Sequence, residues 1–378
     1  VSNSSMIITP PTTLAVTLVL ALPVFSEEPT TSTITGNIFR PVQLTATDER
    51  IAGLKIADGF KLSVFARDLD KPRMMAADSQ GRVYVTRRGE KGDILLLEDP
   101  DKDGAAEAPR KVLELPHVHG IAIKGSTVFL ATIREVYSAP LSDDGGIGQL
   151  KLLYEGLPDA GQHPNRTLDF SPDGELFLSV GSAANAAAEP NKESATMLWI
   201  DLEGKTRDIF ASGLRNTIGF DWHPVTGKFY GMDHGIDYLG DDAQKEELNE
   251  LKKGKKYGWP FVYEDGKANL EDDPKETTGM NWDEYAELCE PSVLTATAHS
   301  APMALLFPSA TNFPKAFHGD ALVTFHGSWN RSKPSGYSVM RLRFKDGAPD
   351  KFEDFLTGFV RGDGQFGRPC GLLELKDG

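Results

Sequence analysis

One motif recurs along this chain and restricts what it can fold into: a glycine-bearing turn that opens a short apolar strand. It occurs as Asp78-Ser79-Gln80-Gly81 before residues 82–86, as Lys124-Gly125 before 127–131, and as Pro172-Asp173-Gly174 before 175–180. It returns as Thr226-Gly227 before 228–230, as His318-Gly319-Asp320 before 321–325, and as Lys376-Asp377-Gly378 at the end. Glycine supplies the backbone reversal at no steric cost, and the runs that follow are rich in β-branched and aromatic residues. Most repeats are spaced by about 40–50 residues, the length of one four-stranded sheet. The pattern predicts an all-β chain, most simply a six-bladed β-propeller. A pair of β-sandwiches would not need the blade-length period. The long gap between the fourth and fifth signals, residues 238–298, reads as an insertion, and 242–253 is its best helix candidate. The sixth signal has no strand after it, so the last blade is expected to be incomplete. Residues 60–65 are the predicted N-terminal closing strand of a C-terminally truncated propeller domain over 51–378.

The N-terminal 36 residues read differently. Residues 14–25 are an apolar run too short to span a bilayer, followed by Ser26-Glu27-Glu28-Pro29 and a Thr/Ser-rich stretch. Residues 1–36 are therefore expected to be a signal peptide and linker, with export to the periplasm or beyond and no membrane span in the mature chain. A formal charge of −15 argues against nucleic-acid binding, which needs clustered cations. It suits calcium or a basic redox partner instead. The two cysteines, Cys289 and Cys370, lack metal-type spacing. They read as separate buried thiols, with a disulfide as the alternative.

Several loops carry residues able to do chemistry. His163, just before the third signal, could take a proton from a hydroxyl, or could be a surface histidine bonded to backbone. Arg215 and Asn216, inside Gly213-Leu214-Arg215-Asn216-Thr217-Ile218-Gly219, offer a cationic fork beside an amide. The alternative is a structural pair of Arg215 with Asp221 or Asp208. In Asp233-His234-Gly235-Ile236-Asp237, the glycine would let carbonyl oxygens turn toward a hard cation. Nearby Asp241, Asp242, Glu246, Glu247 and Glu250 read mostly as a solvated loop. Asp99-Pro100-Asp101-Lys102-Asp103-Gly104 resembles half a calcium loop but lacks its closing glutamate, and is read as a hairpin turn. His326-Gly327-Ser328-Trp329-Asn330-Arg331 places a ring able to stack on a flat ligand beside an amide and a cation. His299 and Arg368-Pro369 are weaker single candidates. No nucleophile elbow, zinc helix, phosphate loop or dinucleotide fingerprint is present.

These motifs, in this order and together with Tyr257-Gly258-Trp259-Pro260, Ala298-His299-Ser300-Ala301-Pro302 and Gly367-Arg368-Pro369, resemble the glucose/sorbosone dehydrogenase family. The HGSWNR form is closest to its sorbosone-dehydrogenase-like branch. The resemblance implies a soluble six-bladed propeller that binds pyrroloquinoline quinone and Ca2+ and oxidises an aldose or sorbosone-type sugar. It implies His163 as general base, Arg215, Asn216 and Arg368 as quinone contacts, and the carbonyls of Gly235 and Ile236 as calcium ligands. Trp329, Asn330, Arg331 and His299 would face the cofactor. Hydride would pass to the quinone, its carbonyl polarised by calcium, and electrons would leave to a cytochrome c or a membrane quinone. The alternatives are a non-catalytic propeller that binds a ligand, and a calcium-dependent sugar lactonase.

Overall fold

The computed structural model describes residues 36–159, 161–309 and 312–378, so the leader-like run at 14–25 lies outside the described residues. Five antiparallel sheets follow one another along the chain. The first consists of Pro72–Ala77, Val83–Arg87, Asp93–Leu97 and Arg110–Glu114. The second consists of Gly120–Lys124, Thr127–Ala131, Val136–Pro140 and Lys151–Tyr154. Arg166–Phe170, Leu176–Val180, Thr196–Ile200 and Arg207–Ser212 make the third. The fourth is Gly219–Trp222, Phe229–Asp233, Glu246–Glu250 and Leu294–Ala296. The fifth is Pro302–Leu306, Ala321–Phe325, Ser338–Lys345 and Ala348–Thr357, with Lys55–Ile56 added to its outer edge. Each of the first five glycine turns joins the first strand of a sheet to the second, and each predicted strand is that second strand. Consecutive four-stranded meanders of this kind are the arrangement of a β-propeller.

The composition of the second strands explains the stacking. Val128 and Leu130 face the first sheet, in a cluster with Tyr84, Ile94 and Leu96. Phe129 and Ala131 face the third, with Leu168, Leu176 and Leu178. Successive side chains point to opposite faces, so a strand buried on both faces is apolar at every position. The same alternation continues between the third and fourth sheets and between the fourth and fifth. Glycines let the first strands approach one another. A Cβ on Gly120 would lie 2.8 Å from the Arg166 carbonyl oxygen, and one on Gly219 would lie 2.6 Å from the Ala304 carbonyl carbon.

The C-terminal segment occupies the gap between the fifth and first sheets. Gly371 N–H donates to the Arg73 carbonyl at 3.0 Å, and the Thr324 hydroxyl donates to the Cys370 carbonyl. Leu373 and Leu375 pack with Phe65 on Val83, Val85 and Leu97. The expected closing strand at 60–65 is not a strand. Phe60 is instead held edge-on by Phe313, Phe317 and Phe355, and the short strand Lys55–Ile56 pairs with the outer strand of the fifth sheet.

The fourth sheet corrects two further expectations. The helix candidate at 242–253 contains the strand Glu246–Glu250. Its glutamates are not solvated: Glu246 and Glu247 are buried and accept backbone N–H groups of neighbouring loops. These tertiary hydrogen bonds outweigh the helical propensity of the segment. The insertion proper is therefore shorter than expected, lying between Glu250 and Leu294. It holds a hairpin, Val262–Tyr263 with Lys267–Ala268, and the helices Pro274–Thr278 and Trp282–Ala286. Cys289 and Cys370 are separate thiols. Among the described residues no helix is long and apolar enough to cross a membrane.

Candidate functional site

His163 lies at the entrance to the third sheet's first strand, and its protonation is set by its neighbours. The Ser182 hydroxyl donates to the Ala184 carbonyl at 2.8 Å. It must therefore accept at its oxygen from His163 Nδ1, also at 2.8 Å. The Ser182 carbonyl, 3.2 Å away, can only accept as well. Nδ1 thus carries the proton and Nε2 carries the lone pair. Burial, reinforced by the charges of Arg215 and His234, holds the His163 pKa well below the usual histidine range. Beneath the ring, the fully buried Arg166 donates to the carbonyls of His163, Asn165 and Pro158 and so fixes the loop. Burial lowers its own pKa to about 10.

Arg215 and Asn216 stand beside His163 because Asp233 pins their backbone. One Asp233 oxygen accepts the Arg215 N–H at 2.8 Å; the other accepts the Asn216 N–H and the Thr217 hydroxyl, each at 2.8 Å. Burial pushes the Asp233 carboxyl up to about 6. The buried Arg215 guanidinium donates to the Asn185 carbonyl and side chain at 3.0 and 2.7 Å. Its ion pair is with Asp237, at 3.3 Å, in place of the expected Asp221 or Asp208. Trp259 lies under it, 5.5 Å from guanidinium carbon to ring centroid. Asn216 Nδ2 donates to His234 Nδ1 at 3.3 Å, and His234 Nε2 in turn donates to the Pro302 carbonyl. Burial holds His234 near 4, in its neutral form.

The loop after Asp233 is held by side chains through three successive N–H groups. Gly235 N–H donates to Glu246 at 2.9 Å, Ile236 N–H to Gln244 Oε1 at 3.0 Å, and Asp237 N–H to Asn185 Oδ1 at 3.0 Å. Among the described residues no donor reaches the carbonyl oxygen of Gly235, while that of Ile236 opens the turn at Asp237–Tyr238. Oriented carbonyls without protein donors are the ligand type a hard divalent cation takes. The glycine is required for close approach, since a Cβ there would lie 2.6 Å from the Gln244 carbonyl oxygen. Its φ is not positive, contrary to the expected excursion.

The remaining candidates divide into two groups. Asn330 and His299 are buried supports: Asn330 Nδ2 reaches Asp237 at 2.7 Å and His299 Nδ1 at 3.2 Å, and His299 Nε2 donates to Gly240 at 2.8 Å. Arg331 is spent on the Asp241 and Ala298 carbonyls and on Asp242. Trp329 and Arg368 lie at the rim. Trp329 meets Tyr238 edge-on at 5.3 Å. Arg368 donates to the His326 and Gly327 carbonyls at 3.1 and 2.8 Å and lies 5.6 Å from the Tyr337 ring. His326 Nδ1 donates to the Pro369 carbonyl at 3.0 Å, which leaves a second histidine with an open Nε2. The Asp99–Gly104 stretch is a turn in which Asp99 accepts the N–H groups of Asp103 and Gly104.

Sequence reasoning missed three residues at this site, all from the first two sheets. Arg73 donates to His119 Nε2 at 3.3 Å, and the buried His119 donates through Nδ1 to the Arg166 carbonyl at 2.9 Å. Arg88 is near enough that, after desolvation, the Arg73 charge lowers its pKa. The Arg73 charge also lowers the pKa values of His119, His234, His326 and Arg368. Arg73, Arg88 and Arg368 have no carboxylate partner among the described residues. In a chain with net charge −15, Arg88 and Arg368 within reach of the Arg73 charge, all three without a carboxylate partner, form a candidate anion site.

The TrAA12-like family profile matches residues 54–359. The chain belongs to this TrAA12-like family. It is 28% identical over 353 residues to an uncharacterised protein of Borreliella burgdorferi, with 88% of each chain covered. It is 22% identical to a pyrroloquinoline quinone-dependent pyranose dehydrogenase of Coprinopsis cinerea, covering 86% of this chain and 52% of that protein. The chain thus spans about half the length of the Coprinopsis relative. Among solved structures, the calcium structure of a Trichoderma reesei family AA12 protein superposes with a TM-score of 0.73 at 22% identity, over 86% of this chain and 93% of that one. The holo pyranose dehydrogenase quinone domain of C. cinerea gives 0.71 at 19% identity, over 86% and 92%. These likenesses establish the shared fold. The resemblance seen in the sequence, to soluble quinone-dependent sugar dehydrogenases, holds at the level of the family.

Proposed function

We propose that this TrAA12-like chain is a quinone-dependent oxidoreductase, a sugar dehydrogenase acting on CH–OH groups, built on a six-bladed ring. The observation that carries the reading is the open Nε2 of His163, fixed as a proton acceptor beside Asn216. The residues suit pyrroloquinoline quinone and Ca2+ on two counts: arginines without carboxylate partners, and the donor-free carbonyl of Gly235 beside that of Ile236. Arg73, Arg88 and Arg368 would hold carboxylates, and the two carbonyls would hold the cation. When bound, the pair supplies a two-electron acceptor and a Lewis acid.

The chain's own residues do the rest. His163 Nε2 takes the hydroxyl proton of the sugar, and its lowered pKa keeps it neutral and ready well below pH 6.5. Ser182 holds the ring in the useful tautomer. Asn216 and Arg215 are placed by Asp233, so side chain and backbone arrive together. Electrons would pass to a cytochrome c or a membrane quinone, and export to the periplasm or beyond belongs to the same proposal.

Reconstitution tests the reading. The chain incubated with pyrroloquinoline quinone and calcium should reduce a dye with an aldose or sorbosone. Absence of both turnover and quinone absorbance would leave a ligand-binding propeller or a lactonase. His163→Ala should abolish turnover and retain quinone binding. If His326→Ala does this and His163→Ala does not, the base is His326, whose Nε2 is also open.

A further inference from the structure

The rim of the channel is reached by a segment from outside the sheets. Residues 36–44 run as an extended arm over the loops that carry Tyr238 and Trp329. Asn37 Nδ2 donates to Asp241 at 3.2 Å, and Phe39 N–H donates to the Trp329 carbonyl at 3.0 Å. Further on, the N–H groups of Val42 and Leu44 donate to the carbonyls of Asp363 and Gln365 at 2.8 and 2.7 Å. Val42–Gln43 pairs in parallel with Gly364–Gln365, so the arm is anchored on both sides of Trp329.

Between these anchors, Arg40 lies over the Trp329 ring, 5.1 Å from guanidinium carbon to centroid. Its charge reaches both Arg368 and Tyr238. Stacking uses the face of a guanidinium and leaves its in-plane N–H fork free. Arg40 is exposed and has no carboxylate partner among the described residues. It is the fourth such arginine around this mouth. The quinone carries three carboxylates, matched in number by Arg73, Arg88 and Arg368, and Arg40 is left over on the solvent side.

Resting on the dehydrogenase reading above, we propose that Arg40 is a specificity-determining residue and that the preferred sugar carries a carboxylate, as a hexuronate does. The sugar ring would lie against the Trp329–Tyr238 corner while its carboxylate takes the Arg40 fork. A neutral hexose fits the same corner but forms no charge-assisted hydrogen bond there.

The test uses the full chain loaded with pyrroloquinoline quinone and calcium, and compares kcat/KM for D-glucuronate and D-glucose. The wild type should favour glucuronate. Arg40→Gln should lower the glucuronate-to-glucose ratio about tenfold, roughly one charged hydrogen bond at an exposed site, with the change in KM, and Arg40→Lys should restore part of it. An unchanged ratio in Arg40→Gln overturns the proposal, even if neutral sugars are oxidised and the dehydrogenase reading stands. A tryptophan-fluorescence titration with glucuronate supplies a readout independent of turnover. Saturable quenching that weakens in Arg40→Gln, with no dye reduction by any sugar, would sink the dehydrogenase reading and leave the carboxylated-sugar site. Neither quenching nor turnover overturns both.

Discussion

At the scale of single residues, the candidate base is held by what surrounds it more than by its own bonds. Gly181 follows the third sheet's second strand and passes directly under His163. A Cβ at this position would lie 2.5 Å from the His163 Cβ, 2.8 Å from Asn216 Oδ1 and 3.0 Å from the His163 carbonyl oxygen. Gly181 does not have a positive φ, so the backbone itself tolerates alanine. The cost of Gly181→Ala therefore falls on the site. His163 and Asn216 must move apart, and a misplacement of about 1 Å can cost ~100-fold in rate. The variant should fold, with a circular-dichroism melt lowered by an overpacking cost of about 1–3 kcal/mol, and should lose about 100-fold in kcat. A kcat within threefold of wild type would show that His163 is not the group that takes the proton.

At the scale of elements, the site depends on a turn and a loop laced together by one carboxylate. Asp233 ends the second strand of the fourth sheet, and its two oxygens collect donors from Arg215, Asn216 and Thr217. Asp233→Asn keeps the shape but turns one oxygen into a donor facing another donor. A buried unsatisfied pair of this kind costs about 1–3 kcal/mol. Chemical denaturation should show that loss, and quinone affinity should fall with it, because Arg215 and Asn216 are no longer presented together. A denaturation midpoint equal to that of the wild type would mean the three bonds do not hold the turn.

Much of this architecture was legible in the sequence, for a physical reason. A glycine turn followed by a strand apolar on both faces can be buried only between two other sheets, and residues 127–131 and 321–325 are each such a strand. Arg215, Asn216, Gly235 and Ile236 could be picked out as candidates because each lies in a local motif. Arg73 and Arg88 were not, since each is an ordinary cation in a first-sheet segment. Only the ring, which sets Arg73 beside the C-terminal segment at Gly371, brings them to Arg368. Glu246 and Glu247 were misread for the opposite reason. Acidic residues in sequence suggest solvent, and the backbone donors that bury these two come from residues 235, 264 and 301.

At the scale of the whole molecule, those buried carboxylates tie stability to pH. Burial, with help from Asp233, pushes Glu247 up to about 7, and burial, with help from Asp169, pushes Asp221 up to about 7. In the unfolded chain both would titrate near 4. A carboxyl with a raised folded pKa binds its proton more tightly when folded, so its contribution is greatest at low pH and is lost as pH rises toward the folded value. The buried histidines run the other way. His119, His163, His234 and His326 have lowered folded values, so their contribution is complete only above about pH 7.5 and is lost as pH falls through about 6.5, the unfolded value. Between about pH 4.5 and 7.5 the two sets oppose each other. Above about pH 7.5 the histidines no longer titrate, and the acid limb acts alone, carried there by Glu246, which burial pushes up to about 8. The melting temperature of the chain, measured by scanning fluorimetry in chelator at constant ionic strength, should therefore fall between about pH 7.5 and 8.5. Glu247→Gln keeps an oxygen for the Glu264 N–H, which now bonds at 2.6 Å, and removes one titrating group. Stability of the variant relative to the wild type should rise by on the order of 1 kcal/mol per pH unit near pH 7, about 2 °C for a chain this long. A melting temperature that stays level from about pH 7.5 to 8.5 in the wild type, or no change in the Glu247→Gln difference near pH 7, would show that these carboxyls are ionised in the folded protein throughout.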